Sequence, residues 1–273
     1  MSTFIAAAIQ LNSQPDLSES MKQSKNAVEK AAGLNADFIA LPENFPFMGD
    51  EKEKHRQAEP ISQAVMEQIP QWAKTYQVTI MAGGFPVRAK SGKVFNRAIL
   101  VNPKGEITAK YDKIHLFDVT LSDNESYCES ETVEAGNPMP VVGRIEGTDD
   151  KAVSIGLSIC YDVRFPELYR KLVDGGADLI CVPAAFTRPT GKAHWKTLLR
   201  TRAIENTCFV IAPAQTGIHG TKRKTHGHSL IIDPWGRILA DAGTEPGMAI
   251  SDINLDLIDD VRRKLPSLRH RRM

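Results

Sequence analysis

The chain has 273 residues, 42% of them hydrophobic and 25% charged, which excludes dominant disorder and suits a large core in a single domain over 1–273. Lys and Arg number 34 against 33 Asp and Glu, so the net charge is +1 and a general polyanion binder is excluded. No apolar stretch approaches the roughly 20 residues that span a bilayer, and the N-terminus lacks the charged region of a secretory signal. The expectation is a soluble, cytoplasmic protein with no membrane partner. Cys128, Cys160, Cys181 and Cys208 contain no C-x-x-C pair and are too few for a disulfide scaffold, so they read as reduced thiols.

Short Ile- and Val-rich runs at 5–11, 38–41 and 78–85 predict strands, and the periodic segments 20–32 and 61–76 between them predict helices. This βαβα order signals an α/β sheet protein. Residues 96–102 and 107–111 flank Pro103-Lys104-Gly105-Glu106, a turn that makes them antiparallel neighbours. From 113 to about 140 the chain is rich in Ser, Glu, Asp and Asn, too long for a plain connector and a candidate rim for a site. The rhythm then returns: strand 153–159, helix 166–174, strand 179–182, helix 192–206, and strands 209–214, 229–232, 237–240 and 248–253. Periodicity alone leaves open whether the two halves make two packed sheets or one doubly wound sheet.

Cys160 stands where the apolar run 152–159 stops and the helix-starting run 161–170 begins, a junction that lifts a thiol to the carboxyl edge of a sheet among backbone N–H groups. Glu43 follows strand 38–41 and Lys113 follows strand 107–111 in the same way. If those strands neighbour one another, a carboxylate, an ammonium and a thiol converge, a set suited to acyl transfer from an amide. Glu43 can then take the thiol proton and return it to the departing amine. Lys113 and the N–H after Cys160 can hold the oxyanion, where a lost donor typically costs about 3 kcal/mol. Singly, each has a plainer reading: a Lys or Glu after a strand is usually a solvated charge, and such a Cys is more often core packing.

The contexts are more specific. Leu41-Pro42-Glu43-Asn44, Lys110-Tyr111-Asp112-Lys113-Ile114-His115-Leu116 and Gly156-Leu157-Ser158-Ile159-Cys160-Tyr161-Asp162-Val163-Arg164-Phe165-Pro166-Glu167 resemble the three signature blocks of the nitrilase (carbon–nitrogen hydrolase) superfamily. Ala193-His194-Trp195, Arg202-Ala203-Ile204-Glu205-Asn206, Gly227-His228-Ser229 and Asp233-Pro234-Trp235-Gly236 extend the similarity over essentially the whole chain. The resemblance implies a four-layer α-β-β-α sandwich of two packed mixed β-sheets that assembles into a homodimer or higher oligomer. It implies a Glu43, Lys113, Cys160 triad and neither a metal nor an organic cofactor. A second glutamate of the family matches Glu129, in a loop shared with Glu125, Glu131 and Glu134, and Tyr161, Arg164, Phe186, Arg188 and His194 are expected to bind or support the substrate.

Cys128-Glu129-Ser130, the segment 190–195, Pro213-Ala214-Gln215-Thr216-Gly217 and the ending around Arg262-Arg263-Lys264-Leu265-Pro266 are similar to amidases that act on deaminated glutathione, releasing 2-oxoglutarate and cysteinylglycine. The alternatives are an amidase acting on 2-oxoglutaramate, a nitrilase or carbamoylase, or a non-catalytic module whose basic tail recruits a partner. The implied partner is thus a small-molecule amide with carboxylates. Arg188, or Arg223 in Lys222-Arg223-Lys224, can pair with such a carboxylate, although a Gly-bounded basic triplet is usually a solvated turn. His226 and His228 lack further ligands at metal-site spacing, and His115 offers a Cys–His dyad as the lesser alternative to Cys–Glu. The basic tail from Arg262 to Arg272 lacks interleaved aromatics, so packing at a subunit interface is favoured over nucleic acid.

Overall fold

The computed structural model describes residues 3–123, 125–145, 153–221 and 223–272, so Ala152 at the head of one predicted strand and Lys222 of the basic triplet lie outside the described residues. In chain order the elements are β1 (Thr3–Leu11), α1 (Leu17–Gly33), β2 (Phe38–Leu41), α2 (Glu51–Arg56), α3 (Ala58–Tyr76), β3 (Thr79–Arg88), β4 (Val94–Val101) and β5 (Ile107–Asp112). The hairpin β6 (Asp118–Ser122) and β7 (Glu125–Cys128) follows, then β8 (Val141–Ile145), β9 (Val153–Leu157), α4 (Pro166–Asp174), β10 (Leu179–Cys181) and α5 (Arg188–Asn206). The chain closes with β11 (Phe209–Ala212), β12 (Ala214–His219), β13 (Arg223–His226), β14 (Leu230–Ile232), β15 (Ile238–Asp241), β16 (Gly247–Asn254) and α6 (Asp256–Lys264).

Among the described residues, the first sheet has the order β13-β12-β1-β2-β3-β4-β5 with β16 antiparallel along β1, and the second has the order β15-β14-β11-β10-β9-β8. Both are mixed: β1, β2 and β3 are parallel while β3, β4 and β5 are antiparallel, and β9, β10 and β11 are parallel between antiparallel flanks. Two-residue alternation assigns the faces of the first sheet. Ala7, Ile9, Ile39, Leu41, Ile80 and Ala82 pack outward on Val28 and Ala31 of α1 and Ile61, Val65 and Ile69 of α3. Ala6, Ala8, Phe38, Ala40, Met81 and Leu100 point the other way, into a core shared with Ile155, Leu157 and Phe209 of the second sheet, whose far side takes Leu172 of α4 and Trp195 and Leu199 of α5. The result is the four-layer α-β-β-α sandwich. Three of those six inner side chains of the first sheet are alanines, which lets the sheets approach closely near the site. A Cβ on Gly83 would sit 2.2 Å from Pro183 Cβ, across the gap between them.

Local chemistry sets the ends of the helices. The Asp16 side chain accepts the Glu19 N–H at 2.9 Å to cap α1, and Asp50 caps α2 through the Glu53 N–H at 2.8 Å. Helix α5 begins four residues before the predicted 192, because extended Thr187 and the fixed φ of Pro189 start it. The stretch 113–140 holds the β6–β7 hairpin, whose first strand alternates between exposed and half-buried and offers no apolar signal. The predicted strand 209–214 divides at Pro213, where the chain leaves the second sheet and enters the first as β12. Consequently Arg223 and Lys224 are strand residues, paired with His219 and Ile218, and the solvated-turn reading is corrected there.

Candidate active site

Cys160 lies three residues beyond β9, after Ile159 in extended conformation, with its own φ at +48°. A left-handed non-glycine residue at a strand-to-helix turn is strained backbone held by its surroundings. Here the Cys160 N–H donates to Pro183 O at 2.8 Å, and Asp162 Oδ2 accepts the Ile159 N–H at 2.8 Å. Glu43 comes from the end of β2 and Lys113 from the end of β5. The three strands are not lateral neighbours, contrary to the condition set from sequence: β3 and β4 separate β2 from β5, and β9 belongs to the other sheet. Face-to-face packing of the sheets brings the three residues together.

Glu43 and Lys113 are almost fully buried, at 3% and 2% exposure, with Cys160 at 8%. Lys113 Nζ donates to Glu129 Oε2 at 2.8 Å, Glu129 Oε1 at 3.0 Å and Glu43 Oε1 at 3.2 Å. Glu43 Oε1 also accepts from Asn96 Nδ2 at 2.9 Å, and Glu43 Oε2 accepts the Ala185 N–H at 3.0 Å. Glu129 Oε2 takes the Phe117 N–H at 2.7 Å, and Asn96 Nδ2 reaches Glu129 Oε1 at 3.2 Å. Gly84, at φ +49°, leaves room for this arrangement, since a Cβ there would lie 2.6 Å from Glu43 Cγ.

Burial alone would push the Glu43 carboxyl up, but Lys113, the Cys160 thiol and the more distant Lys54 and Arg223 together hold it below the usual carboxylate range. Burial likewise opposes the Lys113 charge, and Glu129 and Glu43 overturn that, raising the ammonium well above its ordinary value. Burial and the Glu43 carboxylate push the Cys160 thiol well up, only partly offset by Lys113 and the Ala185 N–H. The resting site is therefore thiol, carboxylate and ammonium. Two carboxylates against one ammonium leave the cluster a negative charge in excess, so it can accept a proton as the sulfur attacks.

These groups form the floor of a cleft of ≈ 1540 Å³. Tyr161, Arg164, Phe186 and Arg188 line it, with Arg164 stacked over the rings of Phe186 at 5.3 Å and Tyr161 at 5.8 Å. Phe186 is buried and Arg188 exposed at the start of α5. His194 is exposed and stands outside the cleft lining, where its Nδ1 lies 3.3 Å from Nη1 of the cleft residue Arg164.

A family model described as carbon-nitrogen hydrolase matches residues 5–263. The chain belongs to that carbon–nitrogen hydrolase family. A deaminated glutathione amidase of Synechocystis sp. is 52% identical over 99% of both chains, and that of Homo sapiens is 38% identical over 98% of this chain and 82% of the relative. Among solved structures, the NitFhit protein of C. elegans superimposes with a TM-score of 0.91 at 36% identity, covering 100% of this chain and 66% of that one. Saccharomyces cerevisiae Nit3, described as a member of branch 10 of the nitrilase superfamily, gives 0.85 at 26% identity over 100% of this chain and 97% of its own.

Within this carbon–nitrogen hydrolase site, two residues that bind the cluster together were not singled out from sequence. Asn96 occupies a buried position of β4 and gives both hydrogens of its amide to carboxylates, leaving its Oδ1 buried with no partner among the described residues. A core-facing Asn inside an apolar strand was the available signal. Asp162, fully buried, accepts from Tyr111 Oη at 2.6 Å and from the His115 N–H at 3.2 Å, with His115 Nδ1 at 2.7 Å. His115 also stacks on Phe165 at 3.7 Å and is absent from the cleft lining, so it is spent on Asp162 rather than presented to Cys160. His228 pairs with Asp241 at 2.8 Å beside His226, and no cluster of three or more metal-ligating side chains occurs among the described residues. No helix among them is long and apolar enough to cross a membrane.

Proposed function

We propose that the chain is a thiol amidase in which Cys160 is the nucleophile, Glu43 the proton carrier and Lys113 the oxyanion support. Sγ gives its proton to Glu43 and bonds to the amide carbon, and the oxygen takes up negative charge beside Lys113 Nζ and the Tyr161 N–H. The C–N bond breaks as Glu43 returns the proton to the amine, leaving a thioester on Cys160. Water then gives a proton to Glu43, adds to the thioester carbon and releases the acid, while the proton returns to sulfur. Glu129 and Asn96 fix the lysine and the base. The observation that carries this reading is a strained, buried Cys160 beside a carboxylate held ionised by a buried ammonium.

The substrate we infer is deaminated glutathione, cut to 2-oxoglutarate and cysteinylglycine, in line with the name of the 52% identical relative. Arg164, on the Cys160 turn, and Arg188 supply cations for the carboxylate of the acyl half. Steady-state hydrolysis of deaminated glutathione, 2-oxoglutaramate and a simple nitrile, by wild type and Cys160→Ala, tests the reading. Cys160-dependent preference for the first supports it, preference for the second makes the chain a 2-oxoglutaramate amidase, and turnover of none points to a binding module.

The reading extends to one hydrolase domain over 1–273 working as a homo-oligomer in the cytoplasm. Four free cysteines fit a reducing compartment. Exposed Trp235, Ile238 and Leu239 adjoin exposed Ile204, whose side chain abuts Gly236, forming an apolar surface suited to a second copy. Sedimentation at equilibrium checks the assembly, and a monomer would refute it.

A further inference from the structure

Deaminated glutathione has a carboxylate on each side of the bond to be cut, one in the acyl half and one on the glycine of the leaving dipeptide. Resting on the amidase reading above, we propose that Arg223 docks the carboxylate of the leaving half and thereby selects a peptide-like amine over ammonia.

The two walls of the cleft differ. Cys160 and Arg164 belong to the turn after β9, in the second sheet, and their wall takes the acyl group that becomes bonded to sulfur. Glu43 belongs to the first sheet and must face the departing nitrogen to protonate it, so the amine leaves along the first-sheet wall. A continuous row of contacts runs from Glu43 along that wall. Next in the chain, Asn44 Oδ1 accepts from Lys54 Nζ at 3.2 Å, Lys54 pairs with Glu51 Oε2 at 2.7 Å, and Glu51 Oε1 accepts from Arg223 Nη1 at 3.2 Å. A dipeptide reaches about 7 Å from its amine, in the direction of that row.

At the end of that row the Arg223 guanidinium lies over the Tyr127 ring at 5.6 Å and lines the cleft, while its Nε is buried with no hydrogen-bond partner among the described residues. Nη1 is committed to Glu51, so the edge formed by Nε and Nη2 is left to receive a planar anion through two parallel bonds. The groups packed around it agree with an anion. Lys54 adds a second cation, and His219 on β12 is neutral, burial and Arg223 holding its imidazole down to about 4. Glu51 is already compensated: burial opposes its charge, yet Lys54 and Arg223 hold its carboxyl at about 2. Arg223 also lies near enough to contribute to the field at Glu43 and Cys160.

The test compares three amides that share one acyl half: deaminated glutathione, its glycine carboxamide and 2-oxoglutaramate. For wild type, capping the glycine carboxylate is expected to lower kcat/KM by about ten- to a hundredfold, mainly through KM. Arg223→Gln and Arg223→Lys are expected to lose most of that discrimination. Their KM for deaminated glutathione should rise about tenfold more than their KM for 2-oxoglutaramate. Equal treatment of free and capped substrates by wild type overturns the proposal, as does full discrimination by a folded Arg223→Gln enzyme. If that variant does not fold, the capping comparison on wild type decides. An equal rise in KM for all three amides assigns Arg223 to the acyl half and overturns it too. Turnover of none of the three by wild type removes the amidase reading, and this assignment with it.

Discussion

On the side of Cys160 that faces the first sheet, Glu43, Lys113 and Glu129 pool three formal charges, with Asn96 bridging the two carboxylates. On the side that faces its own turn, Asp162 is equally buried but is satisfied by Tyr111 Oη, the Ile159 N–H and His115. Burial and Asp162 together raise the Tyr111 phenol well above its ordinary value, so it stays protonated and serves as a fixed donor. The first cluster sets a carboxylate beside the thiol, as the proposed proton transfer requires. The second binds the backbone of the turn that aims the thiol. A buried carboxylate thus becomes a base or a brace according to whether a mobile proton or a fixed donor lies next to it.

Substitutions can break this contrast. Cys160→Ala should reduce turnover by about 10⁴-fold or more with little change in melting temperature, measured by steady-state kinetics beside a thermal melt. Glu43→Gln keeps the shape and removes the base, for an expected loss of about 10²- to 10⁴-fold in kcat. Lys113→Ala leaves two buried carboxylates without their cation and should also destabilise the fold by about 3–5 kcal/mol, read by denaturant unfolding. Asp162→Ala strands several buried donors, each worth about 1–3 kcal/mol, so stability should fall while the pH profile of the residual activity keeps its acidic limb.

Smaller effects sharpen the same contrast. The Glu43 carboxyl is lower in the folded protein than its ordinary 4.5, so the stability it supplies is present above that value and is lost as pH falls through the folded value. The acidic limb of kcat/KM should accordingly lie below 4.5. Asn96→Ala removes a donor to the Glu43 carboxylate and should move that limb upward, whereas a merely structural role for Asn96 would leave it in place. His115→Ala should cost less than tenfold in kcat, because its ring braces Asp162; a loss comparable to Cys160→Ala would restore a Cys–His dyad.

Much of this was legible in the residues. Period-two alternation and the βαβα rhythm placed most strands and helices, because burial on one or both faces writes itself into local apolar pattern. The Glu43, Lys113 and Cys160 contexts also stood out, since each follows a strand end. Polar strands escaped: β6, β7 and β13 are held by hairpin pairing and by neighbours distant in sequence, which leave no apolar period. The step of the chain from the second sheet to the first at Pro213 was equally hidden, because an apolar run reads alike in either sheet.

Sequence by itself determined the family, the class of fold and the three candidate side chains of the site, all of which depend on local residue types in order. Tertiary structure alone decided how they meet. Glu43 and Lys113 hang from strands separated by two others, and Cys160 comes from the opposite sheet. Only the face-to-face packing of the two sheets, with their small side chains and the close approach at Gly83, turns three strand ends into one site. The same packing buries that site, and burial raises the thiol and makes each charge depend on its partner.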